Sequence, residues 1–265
     1  MAYANLIYEK KDHVVTLTLN RPDFLNALDS ALLNELGEAA DEINADHDVR
    51  VAVVTGAGRG FCSGGDLKAT SFAESSGGPV LQKPADHWAA KLLAIRKPTI
   101  AAVNGVAVGG GLSLALAFDV RIASEKARFS AIFAKIGMSV LDGNGWLLPR
   151  AVGLTKALEL LFTADMIDAA EAERIGIVSY VVPHEQLMER ALEMAAKIAA
   201  NPPVALQLTK NVVYDALGKS YVEHLPTQWA AMQKNVVLAR HDVVEGGKAF
   251  AEKRAAKFTG VVPPE

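Results

Sequence analysis

One cysteine, Cys62, stands alone in 265 residues, so an intrachain disulfide is excluded and a reducing compartment is expected. An excess of charge of either sign is also lacking. Lys and Arg number 27 against 30 Asp and Glu, and a net charge of −3 gives no general field for nucleic acid or an anionic membrane surface. The first residues, Met1-Ala2-Tyr3-Ala4-Asn5-Leu6, carry neither the basic nor the apolar part of a secretory leader, so a cytoplasmic location is expected. No group of His, Cys and carboxylates has ligand spacing, so neither a metal nor a redox cofactor is expected. A membrane span is excluded as well. The one long uncharged run, Thr99 to Phe118, holds Asn104 and four glycines and passes from β-branched residues to Leu112-Ser113-Leu114-Ala115-Leu116-Ala117. A buried strand, a tight turn and a buried helix account for it.

What is present is ordinary globular material, 51% hydrophobic and 22% charged, enough for one large α/β domain with a helical appendage. His13 to Leu19 alternates as a strand, while Val51–Thr55, Ile100–Val103 and Val120–Ala123 read as buried strands. Leu32, Leu33, Leu36, Ala40 and Ile43 fall at helical spacing behind a cap at Asp29 or Ser30. From Leu154 the texture is almost continuous helix: Lys156–Thr163, Asp168–Ile175, His184–Ala200, Pro203–Leu217 and Tyr221–Arg240. Ser71 to Pro84 is rich in Ser, Gly and Pro and reads as a surface loop.

Two glycine-rich turns dominate the pattern. The first is Gly60-Phe61-Cys62-Ser63-Gly64-Gly65-Asp66-Leu67, and the second is Asn104-Gly105-Val106-Ala107-Val108-Gly109-Gly110-Gly111. Each follows a β-branched run and leads toward a helix, a setting in which backbone N–H groups can face a cleft unobstructed. Two such donors converging on a carbonyl oxygen form an oxyanion hole. The nearby Gly56-Ala57-Gly58-Arg59-Gly60-Phe61 is not a dinucleotide loop, because its final glycine position is Phe61 and no acidic partner follows at the needed distance.

The order of motifs resembles the crotonase, or enoyl-CoA hydratase/isomerase, superfamily. The match runs through Leu19-Asn20-Arg21-Pro22, Leu25-Asn26-Ala27-Leu28, Lys97-Pro98-Thr99-Ile100-Ala101-Ala102-Val103-Asn104-Gly105 and Ala117-Phe118-Asp119-Val120-Arg121-Ile122-Ala123. It continues through Leu147-Leu148-Pro149-Arg150 to Ala249-Phe250-Ala251-Glu252-Lys253-Arg254, nearly the whole chain. The resemblance implies an α/β fold: a ββα spiral core over residues 1–195 that binds acyl-CoA, then a helical trimerisation region over 196–265. It implies a homotrimer or dimer of trimers and no cofactor beyond the coenzyme A of the substrate. Gly65 and Gly110 would hold the thioester oxygen, Ser63 would lie near the adenine, and Lys253 would reach the CoA phosphates. Where the family often has a lysine for CoA this chain has Phe24, and Lys68 is the electrostatic substitute.

The chemistry departs from the family pattern. The two glutamates of family hydratases correspond to Ser113 and Phe133, and neither can act as a base near neutral pH. Ser113 is read as a polar pocket residue that can hold a water, the alternative within a buried helix being a bond to the preceding turn, and Phe133 is expected as pocket wall. The acid of related isomerases would fall at Leu141, and Asp142 follows it. Asp142 is thus the candidate acid/base, its pKa raised by burial beside Leu141 and Trp146. The alternative is a turn former ahead of Gly143-Asn144-Gly145. His87 is a second residue expected to line the acyl pocket. Cys62 reads as packing, and Asp119 as a structural cap or a partner of Arg121. Isomerase-like proton transfer through an enolate is favoured; the alternatives are acyl-CoA hydrolysis and a non-catalytic acyl-CoA binder.

Overall fold

A computed structural model describes residues 3–66 and 87–260. The expected loop at 71–84, together with Lys68, lies outside the described residues. The chain opens with an antiparallel pair, β1 (Leu6–Lys11) and β2 (Val14–Leu19). Helix α1 (Ser30–Ala45) follows, with Asp29 as its cap: the carboxylate accepts the Leu32 N–H at 2.8 Å. The 3.6-residue period turns Leu32, Leu36, Ala40 and Ile43 inward, and each fully buried leucine contributes about 1.5–3 kcal/mol.

Three similar passages then build the centre. Strands β3 (Val51–Gly56) and β4 (Gly60–Cys62) precede α2 (Trp88–Leu93). Strands β5 (Thr99–Val103) and β6 (Val106–Val108) precede α3 (Gly110–Leu116). Strands β7 (Val120–Ser124) and β8 (Arg128–Ser130) precede α4 (Asn144–Val152). In each passage the first strand joins a large sheet and the second a small one, which is the ββα spiral expected from the motifs. The remaining elements are α5 (Leu154–Thr163), β9 (Ile167–Asp168), α6 (Ala169–Arg174), β10 (Tyr180–Val182), α7 (Leu187–Ala199), α8 (Pro203–Ala216), α9 (Tyr221–Leu238) and α10 (Arg240–Glu252). The large sheet has the order β1-β2-β3-β5-β7-β10 and the small one β4-β6-β8-β9. Among the described residues no helix is long and apolar enough to cross a membrane.

The helical texture after Leu154 conceals two strands. β10 adds to the edge of the large sheet parallel to β7, and β9 pairs antiparallel with β8. Helix α7 runs straight through the expected boundary at 195. Leu187, Ala191, Ala195 and Ala199 all pack on Val51, Val53, Ile100 and Ile122 of the sheet, so the covering layer of the core extends to the Asn201-Pro202-Pro203 break.

Asp119 is structural, but its partner is not Arg121. Its carboxylate accepts hydrogen bonds from the Thr99 N–H and hydroxyl, from Lys210 Nζ at 2.8 Å and from the Tyr214 hydroxyl at 2.8 Å. Arg121 donates instead to the carbonyl oxygens of Phe118 and Ile177. Asp119 thereby fastens α8 to the start of β5.

Candidate active site

The small sheet brings the two glycine turns side by side. β4 pairs in parallel with β6, Gly60 opposite Val106 and Cys62 opposite Ala107, so the chain leaves both strands at the same carboxyl end. Ligand crevices of open parallel sheets form at that end. Two buried asparagines hold the approach. Asn26 donates to the carbonyls of Ala57 and Gly60, and Asn104 donates to those of Gly58 and Gly60. Main chain then packs on main chain. A Cβ on Gly64 would stand 2.7 Å from the Val108 carbonyl oxygen, and one on Gly111 would stand 2.0 Å from that of Cys62.

Gly109 caps α3 at φ 53°, ψ −116°, a conformation that a side chain makes costly. The next residue, Gly110, opens α3, the end of a helix where the macrodipole favours negative charge. Neither the Gly65 nor the Gly110 N–H takes part in a hydrogen bond among the described residues. Gly65 is exposed, and among the described residues nothing lies within 4 Å of a Cβ built on it.

Asp142 reaches this point. Its Oδ2 lies 3.1 Å from where a Cβ of Gly110 would be, and Leu28 Cδ1 closes the other side at 3.0 Å. Asp142 occupies the left-handed region at φ 55°, which aspartate tolerates, and with Gly143 forms the centre of a turn closed by the Asn144 N–H on the Leu141 carbonyl at 3.1 Å, so it is a turn former as well. Burial raises its carboxyl above the usual carboxylate range, opposed by the neighbouring His87 and by a hydrogen bond from the Trp88 side chain. His87 Nε2 stands 3.5 Å from Oδ1. The other ring nitrogen, Nδ1, accepts the Ala89 N–H as the cap of α2. In the neutral ring the proton therefore sits on Nε2, directed at the carboxylate.

The other expected site residues divide. Phe133 is buried, with its ring edge 3.9 Å from a Cβ position on Gly109, so it walls the second turn. Ser113 does not open onto the cleft. It is fully buried, bonds back to the Gly109 carbonyl at 3.4 Å and accepts from Asn144 Nδ2 at 2.6 Å. Helical back-bonding is the ordinary use of a serine one turn into a helix. Ser63 keeps its segment against Phe24: its N–H donates to the Leu25 carbonyl and its hydroxyl to that of Phe24 at 3.3 Å. Phe24 is exposed and lies under the Arg21 guanidinium at 4.7 Å. Lys253 ends α10 in the left-handed region, and no hydrogen bond or ion pair joins it to the cleft among the described residues. Cys62 is fully buried, and burial pushes its thiol up to about 12, which removes it as a nucleophile.

Two contributors were not singled out by motif. Trp88 works with His87 against the rise of the Asp142 carboxyl, and the buried Asn144 donates to the Gly109 carbonyl at 3.0 Å. A cavity of about 460 Å³ lies farther along α3 and α4, lined by Leu116, Trp146, Leu147, Leu206, Val213 and Tyr214 among others; Gly65, Gly110 and Asp142 are not part of its wall.

The enoyl-CoA hydratase/isomerase family model matches residues 9–261. A Mycobacterium tuberculosis protein named "Probable enoyl-CoA hydratase echA8" is 39% identical over 98% of this chain and 99% of its own. The (E)-benzylidenesuccinyl-CoA hydratase of Thauera aromatica is 38% identical, over 95% of this chain and 98% of its own. The crystal structure of an enoyl-CoA hydratase from Bacillus anthracis superposes with a TM-score of 0.87 at 34% identity, covering 97% of this chain and all of that one. With a spiral core, paired glycine turns and matches that span nearly the full length, the chain belongs to the enoyl-CoA hydratase/isomerase family.

Proposed function

We propose that this protein binds an acyl-CoA thioester, stabilises its enolate with the N–H groups of Gly65 and Gly110, and moves a proton with Asp142. The observation that carries the reading is the Asp142 carboxylate lying against Gly110, one donor of the pair. A proton α to a thioester is removable only if the enolate oxygen is stabilised, and preorganised donors supply several kcal/mol of that. The Asp142 carboxylate takes the α-proton of a 3-enoyl thioester. The dienolate charge rests at the oxygen, and the resulting carboxylic acid returns the proton at the γ-carbon to give the 2-enoyl isomer. No cofactor is needed beyond the coenzyme A of the substrate.

Relatives are named hydratases, yet the positions of the two hydratase glutamates hold Ser113 and Phe133. One carboxylate suffices for isomerisation, which favours that reaction. Phe133 walls the acyl site, Ser63 borders the CoA, Lys68 is read as the electrostatic substitute for the family's lysine, and Lys253 is read as a phosphate contact, delivered by a neighbouring subunit. A second reading, thioester hydrolysis, draws on the His87–Asp142 pair, which can hold and deprotonate a water. The helices α8 to α10 form the self-association region of a trimer or dimer of trimers; exposed Trp229, Val237 and Phe250 support it. The single cysteine supports a cytoplasmic setting.

The test is incubation with 2-enoyl, 3-enoyl and saturated acyl-CoAs in heavy water, followed by mass spectrometry, with Asp142→Asn alongside. Deuterium at the α- or γ-carbon, or a shifted double bond, that is lost in the variant is the expected result. Release of free CoA instead moves the assignment to hydrolysis. Intact binding with unchanged substrates makes the protein a binder.

A further inference from the structure

Asn144 is fully buried, two residues beyond Asp142 at the first position of α4. Its Nδ2 donates to the Gly109 carbonyl at 3.0 Å and to Ser113 Oγ at 2.6 Å, while its Oδ1 is buried with no hydrogen-bond partner among the described residues. An unmatched buried acceptor is destabilising, and an apolar side chain of similar size would avoid it. The arrangement therefore needs an explanation, and the donor end supplies one. The Gly109 carbonyl and the Gly110 N–H belong to a single peptide group. A hydrogen bond to the carbonyl end of an amide polarises the whole unit and makes its N–H a better donor. It also ties that carbonyl, which the Ser113 N–H at 3.1 Å and hydroxyl at 3.4 Å hold from within α3, to a second segment of the chain.

We propose that Asn144 is a positioning residue for the oxyanion site: by holding the Gly109 carbonyl it aims and strengthens the Gly110 N–H, and it locks that donor to the loop carrying Asp142. The proposal rests on the reading of Gly65 and Gly110 as an oxyanion hole. Because Asn144 is bonded to the second turn and follows Asp142 by two residues, the donor and the proton carrier move as one piece. Asn144 touches no reacting atom. Its effect belongs to the transition state, where negative charge on the thioester oxygen is greatest, so it acts on kcat more than on KM.

The experiment uses butyryl-CoA labelled with carbon-13 at the thioester carbonyl, read by isotope-edited infrared spectroscopy on the wild-type protein and Asn144→Ala. A working oxyanion hole shifts the carbonyl band to lower wavenumber on binding. The expected result is a clear shift in the wild type and a smaller one in the variant, with kcat about ten-fold lower and KM little changed. Should the alanine variant fold poorly, Asn144→Leu removes the same donor at nearly the same volume. A lowered melting temperature with the full wild-type band shift retained overturns the proposal and leaves Asn144 a structural residue. Absence of a band shift in the bound wild type sinks the oxyanion reading itself, and the proposal with it.

Discussion

The two glycine turns leave parallel neighbouring strands, yet they are built in opposite ways. Gly110 is buried at the start of α3, pressed by Leu28 and Asp142, and its peptide carbonyl is held by Asn144. Gly65 sits on the exposed lip of the cleft, paired through a single bridge to Leu28, with open space where a side chain would go. Gly110 is crowded by side chains, while Gly65 meets none among the described residues and is held through its neighbours, Asp66 by Arg21 at 3.0 Å and Ser63 by the Phe24 carbonyl. In the proposed reading the second turn supplies the fixed donor, with the Asp142 loop packed against it, and the first turn would complete the hole from the open side.

The largest expected effect tests the crowded side. Asp142→Asn keeps the shape and removes the base, so α-deuteration of acyl-CoA in heavy water falls by about 10³-fold, with CoA binding retained. Activity near the wild-type level in that variant moves the chemistry away from the second turn. Next, Gly110→Ala places a methyl against Leu28 and the Asp142 carboxylate. The expected loss of kcat/KM is about 100-fold, with a destabilisation of about 1–3 kcal/mol from overpacking, read by steady-state kinetics and urea unfolding. Gly65→Ala is the contrasting case. Its methyl meets nothing, so stability stays within about 0.5 kcal/mol of wild type and kcat/KM falls less than about ten-fold. Equal losses from the two alanine variants break the comparison.

The smallest effect is on stability against pH. Burial raises the Asp142 carboxyl above its ordinary range, so the folded state favours the protonated form. Stability attributable to this group is fully present below the ordinary carboxylate pKa of about 4 and is lost as pH rises through the higher folded value. Asp142→Asn lacks that loss. Its melting temperature therefore gains on the wild type as pH increases from 4 toward neutrality, measured by scanning calorimetry across that range. A constant difference removes the buried carboxylate from the account.

The long periodic elements were legible in the chain. The apolar spacing and the cap at Asp29 mark α1 to within its observed limits, and β3, β5 and β7 are continuous apolar runs. The three-residue strands β4, β6, β8 and β10 were not, because three residues carry no period and become strands only through the partners the spiral supplies. Helix α10 also exceeded the expectation, which ended at Arg240. For the site, Asp142 and His87 stand out by residue type and motif order, and the fold adds their approach across the cleft. Ser113 bonds back to the preceding turn, as a serine within a buried helix is expected to, while its contact with Asn144 joins two segments with no shared local pattern. Asn144 itself, in Asp142-Gly143-Asn144-Gly145, reads locally as a turn former, and only its contact with the Gly109 carbonyl shows otherwise.

The backbone packing of Gly111 on Cys62 and of Gly64 on Val108 bears on how such a protein changes over time. A contact made of main chain alone offers substitution nothing to enlarge, shrink or recharge. The geometry of the two turns is thus insulated from side-chain exchange, whereas Ser113, Phe133 and Asp142 beside them are side chains that substitution can change.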